Sequence, residues 1–370
     1  MTLTAEKKAF EKKIKELLPY IATKNALPII ECVKIDTLDS ETIALSAYDM
    51  QMGIRNTLSG VKIDEGGSWC IPAKKMLDII SAFEDGEFTL SVSSKGVVKV
   101  TQEKTEFKLH AMEGELFPNF PELNFEDGYD VSAENLKRCI NIVECAVAHN
   151  SNQAALNGVL FSKESSTWTL YSCDSYSVAK AILSNNAGEG EENFIVLGDF
   201  LEAIKKIKVE GSVKFKAFNR HIVVKISDEM SVFSLLIKEK FPDIKRFIND
   251  EGKTVVRIDA DSLKKTLERA SIFEEKNGKV ATVILSIAEG KIVLKNTTLS
   301  GTYEDTVECN IEGDSLRIGF DVTKIEGMIS RVNSERVKII FTNSVSPAQI
   351  IPEEGSEYRY VLLPMRIREE

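Results

Sequence analysis

Ser315 is the residue of this 370-residue chain whose setting most suggests covalent chemistry, because it stands in the string Gly313-Asp314-Ser315-Leu316. A serine becomes a nucleophile only with a base within hydrogen-bond reach. The three histidines, His110, His149 and His221, all precede it and lie far apart in the chain. None has the HExxH spacing or a carboxylate partner at metal-ligand spacing, and no glycine-rich dinucleotide or P-loop pattern occurs. Gly-Asp-Ser also makes an ordinary turn before a strand. The six cysteines, at 32, 70, 139, 145, 173 and 309, sit mostly among apolar neighbours without a CxxC pair. They read as buried thiols of a reducing compartment and not as a disulfide framework or zinc site. No catalytic, cofactor or metal site is assigned.

Positive charge shows more pattern. Adjacent basic pairs, Lys12-Lys13, Lys74-Lys75, Lys137-Arg138, Lys205-Lys206 and Lys264-Lys265, fall on five of six candidate helices, while the sixth has isolated Lys324 and Arg331. The net charge of −10 argues against nucleic acid when taken alone. A Debye length of about 8 Å at physiological salt nevertheless lets a local basic surface attract phosphate. Lysine is also simply a good exposed helix residue, so the pattern leaves both readings open.

The elements that must position these residues repeat. Phe117-Pro118-Asn119-Phe120 returns 124 residues later as Phe241-Pro242-Asp243-Ile244, and the chain closes on Tyr360-Val361-Leu362-Leu363-Pro364-Met365. Proline fixes φ and removes a donor, so each copy reads as the same strand exit or turn. Apolar spacing predicts helices over 5–18, 132–148 and 260–271, followed by strand-like runs at 27–35, 156–161 and 280–287. Second helices follow at 72–83, 198–207 and 321–332, introduced by strand-like segments ending at Ile71, Leu197 and Phe320. Alternation at 107–112, 212–216, 291–295 and 336–341 predicts half-buried strands. Acidic, glycine-bearing joints at 124–128 and 249–252 divide the chain into three α+β domains, 1–127, 128–253 and 254–370. Each holds two helices packed on antiparallel sheets, a size typical of whole domains. Hydrophobic residues make up 43% and charged residues 28%, enough for a core in each. No apolar run reaches the ~18–20 residues of a membrane span, and the N-terminal stretch lacks the apolar core of a signal peptide. A cytoplasmic protein without a membrane partner is expected.

Over its whole length the chain resembles the beta subunits of bacterial DNA polymerase III, the replicative sliding clamps. The residues that carry the resemblance are Leu27-Pro28-Ile29, Ile71-Pro72-Ala73-Lys74-Lys75, Leu156-Asn157-Gly158-Val159-Leu160-Phe161, Phe241-Pro242-Asp243 and the ending Tyr360 to Arg366. The resemblance implies a head-to-tail homodimer closing a six-domain ring, helices lining the hole and sheets outside. It implies a processivity role without catalysis, on double-stranded DNA of any sequence. Partners would be the replicative polymerase catalytic subunit, the clamp loader, and repair and translesion polymerases. Phe107 and Leu109 of one copy would meet Ile272 and Phe273 of the other. DNA-facing candidates are Lys12, Lys13, Lys24, Lys74, Lys75, Lys137, Arg138, Lys205, Lys206, Lys264 and Lys265, making weak phosphate contacts that permit sliding. Short partner peptides would dock in an apolar pocket of Leu156, Cys173, Ser175, Tyr176, Val178, Pro242, Arg246, Phe247, Val345, Val361, Leu362, Leu363, Pro364, Met365 and Arg366. Deletion of residues 361–370 is expected to spare the ring and abolish polymerase stimulation.

The chain departs from many clamps at one pocket wall, reading Cys173-Asp174-Ser175-Tyr176-Ser177-Val178 where they read Thr-Asp-Gly-His-Arg-Leu. Gln153-Ala154-Ala155 replaces bulkier aromatic or basic residues before Leu156. Two other readings stay open at this point: a GDSL-type serine esterase and a scaffold of repeated α+β domains that does not bind DNA. Those esterases place their histidine after the serine, whereas no histidine follows His221 here.

Overall fold

The computed structural model describes residues 1–22, 27–121, 123–183, 188–273, 281–299 and 301–367. Among them, one order of elements occurs three times: a strand, a helix, a run of antiparallel strands, a second helix and a further run of strands. The helices are α1 (Lys7–Leu17), α2 (Ala73–Ser81), α3 (Ala133–Glu144), α4 (Gly198–Lys206), α5 (Ala260–Ala270) and α6 (Val322–Ile329).

Each helix forms where the apolar spacing places one and stops short of the expected end. Phe10, Ile14 and Leu17 are the buried face of α1, and Leu263, Leu267 and Ala270 belong to that of α5. Acidic side chains cap three N-termini, satisfying amides that the helix itself leaves free. Glu6 accepts from the Ala9 amide (2.7 Å), Asp259 from Ser262 (2.8 Å) and Asp321 from Thr323 (3.0 Å).

The opening strands Thr2–Glu6, Tyr129–Ser132 and Thr254–Asp259 were not legible in the sequence. They are short, and their alternation merges into the helix that follows. Two expected strand starts are instead 3-10 turns, Pro28–Glu31 and Ala154–Asn157, with strands beginning at Cys32 and Gly158.

The chain divides into two compact units, Met1–Ala133 with Lys206–Leu236, and Glu134–Lys205 with Ile237–Glu370. Strand pairing explains why the central repeat contributes to both. In the first unit, Met52–Ser59 pairs antiparallel with Met230–Ile237 (Arg55 opposite Ser231). A sheet then continues through His221–Lys225 and Ser212–Phe218 to Tyr129–Ser132. In the second unit, Ser177–Leu183 pairs with Tyr358–Leu362 (Val178 opposite Val361), and the sheet runs on through Ala348–Pro352 and Arg336–Phe341 to Thr254–Asp259.

Each unit also carries a smaller antiparallel sheet. In the first it has five strands and ends on Thr105–His110. In the second it has four strands among the described residues and ends on Gly301–Glu308.

The repeated phenylalanine-proline segments act as internal anchors. Phe117 is buried in a cluster with Cys32, Tyr48, Cys70, Val223 and Phe233, against which Phe120 and Phe125 also pack. Phe241 and Ile244 occupy the corresponding place beside Leu156, Cys173, Val178 and Val361. Both joints are Asn-initiated turns: the Glu126 amide donates to Asn124 Oδ1 (2.8 Å) and the Glu251 amide to Asn249 Oδ1 (3.3 Å). The first joint buries more than its composition suggests, because Phe125 packs into the aromatic cluster.

Candidate partner groove and basic helices

The second unit brings the expected pocket residues together as a buried floor and an exposed rim. Leu156, Cys173, Val178 and Val361 share one apolar cluster, with Leu362 buried beside them. Burial raises the pKa of the Cys173 thiol, so it stays protonated as part of the floor. Around them, Tyr176 is 62% and Val345 77% exposed, and Leu363 and Phe247 are exposed too. Large apolar side chains thus stand in water around an apolar floor.

The backbone holds this rim in place. After Leu362 the chain leaves its strand, yet the Leu363 amide still donates to the Tyr176 carbonyl (2.9 Å) and the Met365 amide to the Gly319 carbonyl (2.8 Å). Pro364 lies between these two anchors and has no amide of its own to satisfy. An open cleft of about 730 Å³ follows, lined by Val345, Pro364, Met365 and Arg366 together with Arg317, Ser344 and Ile367. Those last three were missed in the sequence; only the neighbouring Val345 and Arg366 pointed to two of them. Phe247 is fixed through its carbonyl, which accepts from Gln349 Nε2 (2.6 Å), and the Arg246 guanidinium lies 4.7 Å from its ring centre. Pro242 is exposed beside buried Phe241.

The departing wall, Cys173 to Val178, is a tight hairpin turn. Asp174 Oδ1 accepts from the amides of Tyr176 (3.0 Å) and Ser177 (2.7 Å), and Ser175 takes a left-handed φ of 79°. Lys324 on α6 forms an ion pair with Asp174, and its ammonium lies 5.8 Å from the Tyr176 ring centre. Lys324 therefore supports the groove wall, a role its isolated position in the sequence did not reveal.

The basic candidates divide by partner. In the first unit, Lys12, Lys74 and Lys75 are exposed on α1 and α2, which are tied together by Ser81 Oγ donating to Glu11 (2.9 Å). Lys13 differs, being held by Glu229 (2.6 Å) and Asn56 (2.8 Å), so much of its charge is already answered. Lys206 is exposed at the end of α4. In the second unit Lys265 is exposed and Lys264 half-buried on α5. Arg138 donates to the Ile182 carbonyl (3.2 Å), Lys205 pairs with Glu144, and Lys137 is half-buried on α3. Lys24 lies outside the described residues.

The four candidate interface residues lie near outer strands. Phe107 and Leu109 project half-buried from Thr105–His110, with the Phe107 ring 5.8 Å from that of Phe83. Ile272 is 75% exposed, and Phe273 abuts Gly301 at the start of the outer strand Gly301–Glu308. Gly313-Asp314-Ser315 makes the turn between two strands: Gly313 has φ 109°, and the Asp314 carbonyl accepts from Thr254 Oγ1 (2.9 Å). Among the described residues, no group of three or more histidine, cysteine or acidic side chains could hold a metal ion.

Comparison with known proteins decides the family. Models of the DNA polymerase III beta subunit N-terminal, central and C-terminal domains match residues 1–121, 130–243 and 245–366 in that order. The chain belongs to the DNA polymerase III beta subunit family. A beta sliding clamp of Staphylococcus aureus is 23% identical over 376 aligned positions, covering 99% of each chain. The fold matches the DNA polymerase sliding clamp of Bacillus subtilis with a TM-score of 0.94 at 19% identity, over all of both chains. It also matches a Pseudomonas aeruginosa sliding clamp bound to griselimycin (TM-score 0.90, 21% identity), over 99% of this chain and all of that one. No helix among the described residues is long and apolar enough to cross a membrane.

Proposed function

We propose that this chain works as a DNA sliding clamp: two copies close head to tail around duplex DNA and carry the replicative polymerase along it. The family assignment supports the clamp role. The observation that carries the partner-binding half is the exposed rim of Tyr176, Phe247, Val345 and Leu363 over the buried floor of Leu156, Cys173, Val178 and Val361. A short apolar peptide fits such a groove, its side chains covering the rim. Griselimycin, held by the Pseudomonas relative, is a ready probe. Clamp loader, repair polymerases and translesion polymerases are further candidates for the same groove.

Ring closure is supported by the two outer strands. Thr105–His110 and Gly301–Glu308 each end their sheet among the described residues, and their charges are largely answered within the chain: Glu106 pairs with Lys108 (2.9 Å) and Lys99 (3.6 Å), and Asp305 with Arg269 (2.8 Å). An unpaired strand edge seeks a partner. A contact between different surfaces closes only when the rotation per subunit divides the circle. We retain the division into domains 1–127, 128–253 and 254–370 as part of this proposal. DNA then needs only weak, sequence-blind phosphate contacts, from Lys12, Lys74, Lys75 and Lys265 before Lys13, Arg138 and Lys205, whose partners are described above, with Lys206 a further exposed candidate.

The deletion that tests the groove must begin later than the sequence suggested. Val361 and Leu362 are buried, and their strand is paired on both sides, so removing them would damage the core. Loss of residues 363–370 is expected to leave the dimer intact and abolish polymerase stimulation and griselimycin binding. Retention of both activities would refute the groove assignment.

A further inference from the structure

The first unit contains a second copy of the groove's framework, and we propose that it is a latent peptide site closed by the chain's own Phe233. This inference rests on the groove proposed above. The turn from Asp49 to Met52 reproduces the one from Asp174 to Ser177. Asp49 Oδ1 accepts from the amides of Gln51 and Met52 (both 2.8 Å), as Asp174 does from Tyr176 and Ser177. Met50 has φ 77° where Ser175 has 79°. The neighbouring strand enters in the same register: Met52 and Gly53 face Ser234 and Phe233, as Ser177 and Val178 face Leu362 and Val361. The exit bond repeats as well, the Leu235 amide donating to the Gln51 carbonyl (2.8 Å) as Leu363 donates to Tyr176.

The frameworks agree, and the side chains that decide access do not. Where the open groove has Val178 opposite Val361, the first unit has Gly53 opposite Phe233. Phe233 is 0% exposed. Its ring lies 5.1 Å from that of Tyr48 and 5.0 Å from that of Phe120, at positions where the other copy carries the smaller Cys173 and Ile244. Gly53 is what lets the ring in, since a Cβ there would stand 2.4 Å from Phe233 Cζ. The two residues work as a unit: a large ring on one strand and no side chain opposite it. Their joint effect is to remove one of two equivalent apolar floors, leaving one docking site per chain.

The test transplants the plug. In full-length protein, calorimetric titration with griselimycin is expected to give one site per chain. The double variant V178G/V361F, which rebuilds the Gly53–Phe233 pair in the open groove, is expected to lose at least about 100-fold in affinity while keeping its dimer mass and its circular dichroism spectrum. Binding within threefold of wild type would overturn the proposal. Should that variant fold poorly, Phe233→Val decides: a second site per chain supports a latent groove, and a single unchanged site overturns it. The failure of the underlying reading looks different, because wild-type protein would then bind no griselimycin at all. Two sites in the wild type would overturn the plug while leaving the first groove standing.

Discussion

Replacing Tyr176 with alanine removes the largest exposed ring of the groove rim without touching the core. Tyr176 is 62% exposed. A tyrosine buries roughly 150–250 Å² when fully covered, so a bound peptide has about 90–150 Å² left to cover. At about 25 cal/mol per Å² this corresponds to roughly 2–4 kcal/mol of binding. A ligand covers only part of the ring, so the expected loss is about 1.5–3 kcal/mol, or roughly 10–150-fold in Kd. The turn itself should survive, because it is held by Asp174 through main-chain amides and by Lys324 through an ion pair. Calorimetric titration of griselimycin into wild-type and Tyr176→Ala protein reads the change directly, with circular dichroism as the folding control. An affinity within twofold of wild type would refute the assignment of Tyr176 to the rim. Absence of any wild-type binding near 100 μM would refute the groove itself.

Three other perturbations follow from separate parts of the structure. The double change K74A/K75A should weaken binding to duplex DNA similarly for all sequences and lower the salt slope, by up to about 0.9 for each phosphate no longer neutralised; fluorescence anisotropy at several salt concentrations measures both, and an unchanged slope argues against these lysines. Gly313→Ala should cost roughly 2–3 kcal/mol in urea unfolding, because its φ is 109° and a Cβ would meet the Lys253 carbonyl oxygen at 2.0 Å, whereas Ser315→Ala, in the same turn, should be nearly neutral. Asp305 is held below the usual carboxylate pKa by the Thr306 amide, the Tyr303 hydroxyl and Arg269. Its folded pKa is depressed, so its contribution is complete above the unfolded value near ~3.9 and disappears as pH falls through the folded value. Asp305→Asn should therefore lower the unfolding midpoint modestly at pH 7, by about 1 kcal/mol or less for an ion pair this exposed. The difference between the two proteins should shrink as pH falls below the unfolded value, and one that does not shrink in acid would contradict this assignment.

Helices and groove were legible in the sequence to different degrees, for physical reasons. The six helices show because one apolar stripe per helix faces a core, as with Phe10, Ile14 and Leu17 on α1. The opening strands did not show because four to six residues give too few alternations, and Tyr129–Ser132 is half charged or polar. Floor residues such as Val178 and Val361 were reached through resemblance, since a buried valine looks alike in any sheet. Lys324 escaped notice because its partner Asp174 lies 150 positions away. Lys13 and Lys205 looked free for the same reason: Glu229 and Glu144 answer their charges from remote segments. The division into two compact units was also hidden, because it depends on which strands hydrogen-bond across repeats, as Met52–Ser59 does with Met230–Ile237.

The central claim is a ring that encircles DNA, and electron microscopy of the purified protein at micromolar concentration tests it most directly. Particles with a central hole and a pseudo-sixfold outline are expected, with a mass of about 82 kDa, twice that of the 41.2 kDa chain. Solid particles without a hole would contradict that claim.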